Sequence, residues 1–245
     1  MDAQQIAGLT ARARRLALAA DLPAAPGDPT SDPFADPSGD PARRPAPAAV
    51  GRRPPGHRRV LGIAGPPGAG KSTLAATLVD RLGGLAALVP MDGFHLAQTE
   101  LNRLGRAGRK GAPDTFDATG YAALLARLRA PEPGTVVYAP AFDRSLEEPV
   151  AGSIAVGPEI PLVITEGNYL LHDTGPWAPV RTLLDEVWFL ELDPGVRVGR
   201  LVDRHVRHGK ERAYAERWVR ESDEANARLV ERGRDRADLV VPLSD

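Results

Sequence analysis

Gly65-Pro66-Pro67-Gly68-Ala69-Gly70-Lys71-Ser72-Thr73 lies between two apolar segments of different character. Before it, Val60-Leu61-Gly62-Ile63-Ala64 is a short continuous apolar run of the kind that forms a buried strand; after it, Leu74-Ala75-Ala76-Thr77-Leu78-Val79 continues as a helix. Strand, glycine-rich turn and helix are the context a phosphate loop requires, and Gly65, Gly70, Lys71 and Ser72 fill its fixed positions. Glycines without a Cβ let successive backbone N–H groups turn inward around phosphate oxygens, and the helix beginning near Lys71 adds its positive end. Lys71 is then expected to reach the β- and γ-phosphates, and the Ser72 hydroxyl to ligate Mg²⁺.

Downstream of this loop, strand and helix patterns alternate. Leu85 to Pro90 reads as a second buried strand ending at Met91-Asp92-Gly93-Phe94-His95. A polar helix-forming stretch from Thr99 to Leu104 leads into a basic, glycine-bearing loop, Gly105 to Gly111. Asp117 is placed as an N-cap, with Phe116 and Tyr121 as a hydrophobic staple and Leu124, Leu125 and Leu128 on the buried face. Further strands are expected over Thr135–Ala141, Leu162–Thr165, Val187–Leu192 and Leu239–Val241. Such alternation implies an α/β fold, a parallel sheet of about five strands flanked by helices, with ligands at the carboxyl ends of the strands and an Arg-rich helical lid.

Upstream, Ile6, Leu9, Ala13, Leu16 and Ala20 recur at helical spacing, so residues 1–20 are expected to form a helix that docks on the core. Residues 21–58 are rich in Pro, Ala, Gly, Asp and Arg, with almost no large apolar side chain, and read as a disordered linker whose bases, Arg58 and Arg59 included, form a solvated charge run. The domain built around the glycine loop is then expected over residues 59–245. A chain of 245 residues that is 42% hydrophobic and 26% charged has enough length for one sizeable core. Its formal net charge of -1 provides no global attraction for nucleic acid or anionic membrane. No cysteine is present, which excludes disulfides and thiolate chemistry. With neither a membrane-length apolar stretch nor the apolar core of a secretory signal, a cytoplasmic location is expected.

Three groups fall at strand ends: the glycine loop, Asp92 and Glu166. Phosphoryl transfer needs a metal over the phosphates, a carboxylate to take the proton of the acceptor hydroxyl, and positive charge over the transferring group. Asp92 is the candidate base, and Glu166, after Leu162-Val163-Ile164-Thr165, is expected to hold Mg²⁺ or its water. Arg197, Arg200, Arg204 and Arg207 share one face of a later helix, where one or two of the four are expected to serve the phosphates and the others to be structural. The histidines His95, His172, His205 and His208 show no metal-ligand spacing.

The ordered motifs GPPGAGKST, PMDGFHL (Pro90 to Leu96), RKGAPDTFD (Arg109 to Asp117), YAPAFDR (Tyr138 to Arg144) and ITEGNYLL (Ile164 to Leu171) resemble the phosphate-loop kinases that include pantothenate kinase, uridine kinase and phosphoribulokinase. Within that group the chain is most similar to the bacterial nucleoside/nucleotide kinase-like proteins. The resemblance implies ATP as donor, Asp92 as catalytic aspartate with a share in the metal site, Glu166 as the metal-associated glutamate, and Arg200 and Arg204 as lid arginines. It also implies an acceptor pocket drawing on Lys110, Asp114, Tyr138, Phe142 and Arg144. Uridine kinases carry an acidic residue that holds the ribose where this chain has Gly111, while Lys110-Gly111 resembles pantothenate kinase. The function expected is therefore an ATP-dependent small-molecule kinase whose acceptor is a sugar, nucleoside or pantothenate-like hydroxyl compound. The rival readings are a uridine or nucleoside kinase proper, a P-loop ATPase or switch acting on a protein, and an interaction module working through the linker. No nucleic-acid or membrane partner is expected, and a homodimer is allowed for.

Overall fold

A computed structural model describes residues 1–20 and 57–243. Apart from its last two residues, the expected linker over 21–58 lies outside the described residues. The described elements run α1 (Ala3–Leu18), β1 (Arg59–Ala64), α2 (Lys71–Leu82), β2 (Ala86–Leu88), α3 (Gln98–Arg103), α4 (Ala118–Arg129), β3 (Val137–Asp143), β4 (Glu148–Val156), β5 (Leu162–Glu166), β6 (Glu186–Glu191), α5 (Pro194–Arg207), α6 (Arg212–Trp218), α7 (Glu224–Glu231) and β7 (Leu239–Pro242). A π-helical turn, Val219–Asp223, joins α6 to α7. No helix among the described residues is long and apolar enough to cross a membrane.

Five parallel strands form the sheet, in the order β2-β5-β1-β6-β7. Alternate residues of the central strand feed opposite faces: Val60 and Ala64 join a core with α4 and Trp177, whereas Leu61 and Ile63 join one with α1 and α2. The apolar side chains of α1 that this second core takes in are Leu9, Ala13 and Ala17. With both faces covered, the strands read as continuous apolar runs rather than as alternating patterns. The chain leaves β1 toward β2, beyond β5, but leaves β5 for β6 on the other side of β1. These neighbouring strands thus send their connections in opposite directions, opening a crevice at their carboxyl ends where ligands bind in this sheet class.

Two sequence expectations are corrected. The strand placed over Thr135–Ala141 is not part of the parallel sheet; it is β3, which pairs antiparallel with β4 in a separate hairpin. Pro140 sits at the register shift between Ala139 and Ala141, and proline within a strand marks a bulge or an edge. Its partner β4 escaped notice because Pro149, Gly152 and Ser153 read as turn residues. Arg58, assigned above to a solvated run, is only 1% exposed. Its guanidinium donates to the carbonyls of Leu128, Gly157 and Ile160, tying the end of α4 to the loop before β5. Burial pushes its pKa down to about 10.

Candidate active site

Between β1 and α2 the loop curls through three glycines with positive φ, at 146° for Gly65, 82° for Gly68 and 91° for Gly70. Only glycine adopts this succession without strain, and a Cβ on Gly68 would lie 2.8 Å from Leu201 Cγ. A cavity of about 1300 Å³ opens over the loop, bordered by Pro67, Gly68 and Gly70 to Thr73; Gly65, Pro66 and Ala69 are buried behind them.

Lys71 is the first residue of α2 and is 7% exposed. Its ammonium donates to the Pro66 carbonyl at 3.0 Å and to Asn168 Oδ1 at 2.7 Å, both neutral acceptors. Burial lowers its pKa to about 8, although Glu166 and Asp92 lie close enough to oppose the shift. The Ser72 hydroxyl donates to Glu166 Oε1 at 2.8 Å. Glu166, the last residue of β5, is 6% exposed; burial and the neighbouring Asp92 push its carboxyl up, against Lys71 and the Ser72 hydrogen bond.

Asp92 stands in the turn after β2 and borders the same cavity. Arg144, from the hairpin tip, reaches its carboxylate at 3.4 Å. Behind Asp92 the His95 ring packs on Phe116 and Phe142, with centroids 4.0 and 4.9 Å away. Its Nδ1 meets the Asp92 carbonyl at 2.8 Å, and since a carbonyl only accepts, Nδ1 carries the proton. Burial lowers the His95 pKa, which keeps the ring neutral near pH 7. Gly93 has no room for a side chain, because a Cβ there would overlap the Pro140 carbonyl of β3.

The α5 arginines separate. Arg200, Arg204 and Arg207 border the cavity, and burial lowers the Arg204 pKa. Arg197 does not border it; at 1% exposure it donates to the Pro67 carbonyl at 3.3 Å and pairs with Glu224 of α7, holding the glycine loop to the last helix. Of the expected pocket residues, Lys110, Phe142 and Arg144 border the cavity, but Asp114 and Tyr138 do not. The Asp114 carboxylate is taken by Arg109 at 2.6 Å and Arg106 at 3.4 Å, so it closes its own loop. Tyr138 is 60% exposed on the outer face of the hairpin, the alternation of β3 having turned it away from the buried Val137 and Ala139.

Sequence reasoning missed Asn168, which orients Lys71, and Gln98 and Asn226 on the cavity wall. Asn168 stood inside the ITEGNYLL motif and could have been found there. Asn226 lies past a π-helical turn, which shifts helical spacing by a residue, so periodicity could not point to it.

A phosphate-binding loop at the switch point of a five-stranded parallel sheet, with carboxylates from the next two strand ends, has counterparts among known proteins. The sequence pattern of the phosphoribulokinase/uridine kinase family matches residues 60–244. The chain belongs to that family. A Schizosaccharomyces pombe protein provisionally named a uridine kinase is 36% identical over 196 residues, covering 75% of this chain and 83% of that one. A crystal structure from Silicibacter sp. TM1040, provisionally described as a fructose transport system kinase, superposes with a TM-score of 0.71 at 40% identity over 79% of this chain and 93% of that one. YFH7 of Saccharomyces cerevisiae shares the fold, with a TM-score of 0.67 at 19% identity over 77% and 93% of the two chains. In phosphoribulokinase/uridine kinase family terms, α1 precedes the matched region and the β3–β4 hairpin lies within it.

The donor set suits a nucleotide with Mg²⁺. Among the described residues no cluster of three or more His, Cys, Asp or Glu side chains forms a self-contained metal cage. Ser72, Glu166 and Asp92 instead offer part of a shell, and Mg²⁺ takes one or two carboxylates together with phosphate oxygens and water. The buried Lys71 ammonium is hydrogen-bonded only to neutral acceptors, so a phosphate chain would give it its first hydrogen-bonded anion.

Proposed function

We propose that this protein transfers the γ-phosphate of Mg-ATP to a hydroxyl group of a small molecule. The observation that carries the reading is the convergence of Lys71, the Ser72–Glu166 pair, Asp92 and Arg204 on one cavity. At about 1300 Å³ it exceeds the roughly 300–1,000 Å³ typical of a single-ligand pocket, which supports two reactants side by side.

In the transfer the acceptor oxygen bonds to the γ-phosphorus while the bond from that phosphorus to the β,γ-bridging oxygen breaks, its electron pair leaving with ADP. Asp92 accepts the hydroxyl proton, and His95, donating to its carbonyl, holds the turn that aims it. Lys71 and the loop amides bind the phosphates, and Arg200 and Arg204 stand over the transferring group. Ser72 and Glu166, with Asp92 nearby, would hold a Mg²⁺ ion, which would supply charge neutralisation at the phosphate oxygens. On the acceptor side, Lys110, Phe142 and Arg144 form the wall; Asp114 and Tyr138 have no part in it.

Asp92→Asn is expected to keep ATP affinity within a few-fold while lowering kcat by about 10²–10⁴. ADP release from Mg-ATP, followed across sugars, nucleosides and pantothenate against a blank without acceptor, identifies the acceptor class. Equal release in every well, blank included, would replace this reading by an ATPase. A nucleoside kinase is the second reading, favoured by the name given to the S. pombe relative. Against it, the wall at Gly111 is backbone alone, its carbonyl taken by the Tyr169 hydroxyl and the Asn226 amide.

A further inference from the structure

Resting on the kinase reading above, we propose that the acceptor is an anion: a hydroxy compound whose phosphate or carboxylate group seats against Lys110 and Arg144 while its hydroxyl reaches Asp92. Both cations lie against the Phe142 ring, Lys110 Nζ at 5.2 Å and Arg144 Cζ at 5.7 Å from its centroid. The Phe142 ring in turn faces His95, whose Nδ1 holds the Asp92 carbonyl. Arg144 thus reaches the carboxylate that takes the hydroxyl proton, at 3.4 Å, and Lys110 stands on the same Phe142 ring, with all three on the wall of one cavity.

Among the described residues the Lys110 charge meets no carboxylate, and the Arg144 charge meets only that of Asp92, at 3.4 Å. Lys110 Nζ donates to two neutral oxygens, the Glu147 carbonyl at 2.7 Å and Gln98 Oε1 at 3.4 Å, and no carboxylate among the described residues pairs with it. Of its three donors one is left for a ligand. Arg144 gives one N–H to Asp92 at 3.4 Å and keeps the rest of its fork open. Of the other acids nearby, three are committed elsewhere. Asp114 is paired with Arg106 and Arg109. Asp143 accepts from Ser145 and Leu146 of its own turn. Both Glu148 oxygens accept from the Gln98 amide, at 3.0 and 3.1 Å. Glu147 retains an uncommitted carboxylate, but it is solvent-exposed, and Lys110 holds its carbonyl instead.

The hairpin tip that carries Arg144 is also built to hold still. Asp143 closes the turn, Glu148 fastens its far end to the start of α3, Lys110 holds the adjacent Glu147 carbonyl, and Glu147 takes φ 55°, the one positive φ outside glycine among the described residues. Strain of this kind persists where the surroundings over-determine a conformation, as at ligand clamps. A neutral acceptor would leave the Lys110 ammonium on the cavity wall with no counter-charge.

The test uses matched acceptors that differ by one anionic group: glycerol and glycerate, ribose and ribose 5-phosphate, fructose and its monophosphates. Equilibrium binding is measured on the full chain with the glycine loop filled by Mg²⁺ and a non-hydrolysable ATP analogue, so that added phosphate cannot occupy that loop. The anionic member of at least one pair is expected to bind tenfold or more tightly than its neutral partner, with carboxylate and phosphate pairs telling the two anions apart. Lys110→Met, which keeps the apolar stem, should weaken the anionic member roughly tenfold to a hundredfold more than its neutral partner, removing the preference between them. Should that variant fold poorly, raising salt on the native protein serves instead, weakening the anion alone. Equal or better binding of the neutral member in every pair, no binding of any anion, or a preference that survives Lys110→Met would overturn the proposal. ATP-dependent phosphorylation of a neutral acceptor would overturn it and leave the kinase reading standing, whereas acceptor-independent ADP release would remove the kinase reading itself.

Discussion

Lys71 carries its charge in a poorly solvated position, and that has a measurable consequence. Its ammonium is buried against a carbonyl and an amide oxygen, which brings its pKa down to about 8. Phosphate binding requires the charged form. Below pH 8 the free protein is ready to bind; above it, binding must first take up a proton, because bound phosphates raise the pKa again. ATP affinity is therefore expected to fall about tenfold between pH 7 and pH 9. Calorimetric titrations in buffers of different ionisation enthalpy should reveal proton uptake at the alkaline end. A flat Kd across the range would mean that Lys71 stays charged in the free protein. Most of this site was legible from residue types, since glycine spacing, a lysine and two strand-end carboxylates all lie in local motifs. The place of Arg197 was not: spacing put the four arginines on one face without telling which were structural, and its partners, the Pro67 carbonyl and Glu224, are distant in the chain.

The β3–β4 hairpin supplies one wall of the cavity and constrains the turn after β2. Gly93 lies directly beneath Pro140, so Gly93→Ala must push the hairpin away or move Asp92. Overpacking of this kind costs about 1–3 kcal/mol. Turnover should suffer more than stability does, because Asp92 and Arg144 are displaced relative to each other across the cavity. The expected result is a modest fall in Tm with a kcat loss of about tenfold or more, read from thermal melts and steady-state rates on one preparation. Loss of Tm with unchanged kcat would mean that the hairpin moves without carrying Asp92. Pro140 was a visible sign against a central strand. Even so, no local pattern announced that β3 would pair with β4, since a two-stranded ribbon at a surface has no continuous apolar run.

In the whole molecule, α1 sits outside the region shared with the phosphoribulokinase/uridine kinase family and packs on the face of the sheet that carries α2. Its Gln5 side chain donates to the Pro242 carbonyl at 2.7 Å, and Arg12 pairs with Glu186, so it touches both β6 and β7 as well. Ala13 is fully buried. Ala13→Asp would place an unpaired carboxylate there, at a cost of about 2–4 kcal/mol, limited by undocking of the helix. For a chain of this size that is a Tm decrease of roughly 5–15 °C. Rates measured well below the melt should change less than twofold, because α1 contributes nothing to the cavity wall. A large kcat loss at low temperature would instead tie α1 to the site.

The order of the elements other than β4, the glycine loop, the two carboxylates and the N-terminal helix could be read from the chain because each depends on neighbours within a few residues: apolar period, turn chemistry, capping. Folding in three dimensions settled what depends on partners far along the chain. It assigned the five strands their order and their switch point, and it removed β3 from the sheet. It buried Arg58 under three carbonyls, sent Arg197 to the glycine loop, and kept Asp114 and Tyr138 out of the cavity. A hydrogen bond between residues a hundred positions apart leaves no periodicity behind, so a charged side chain looks the same in sequence whether it meets solvent, a ligand or a buried carbonyl.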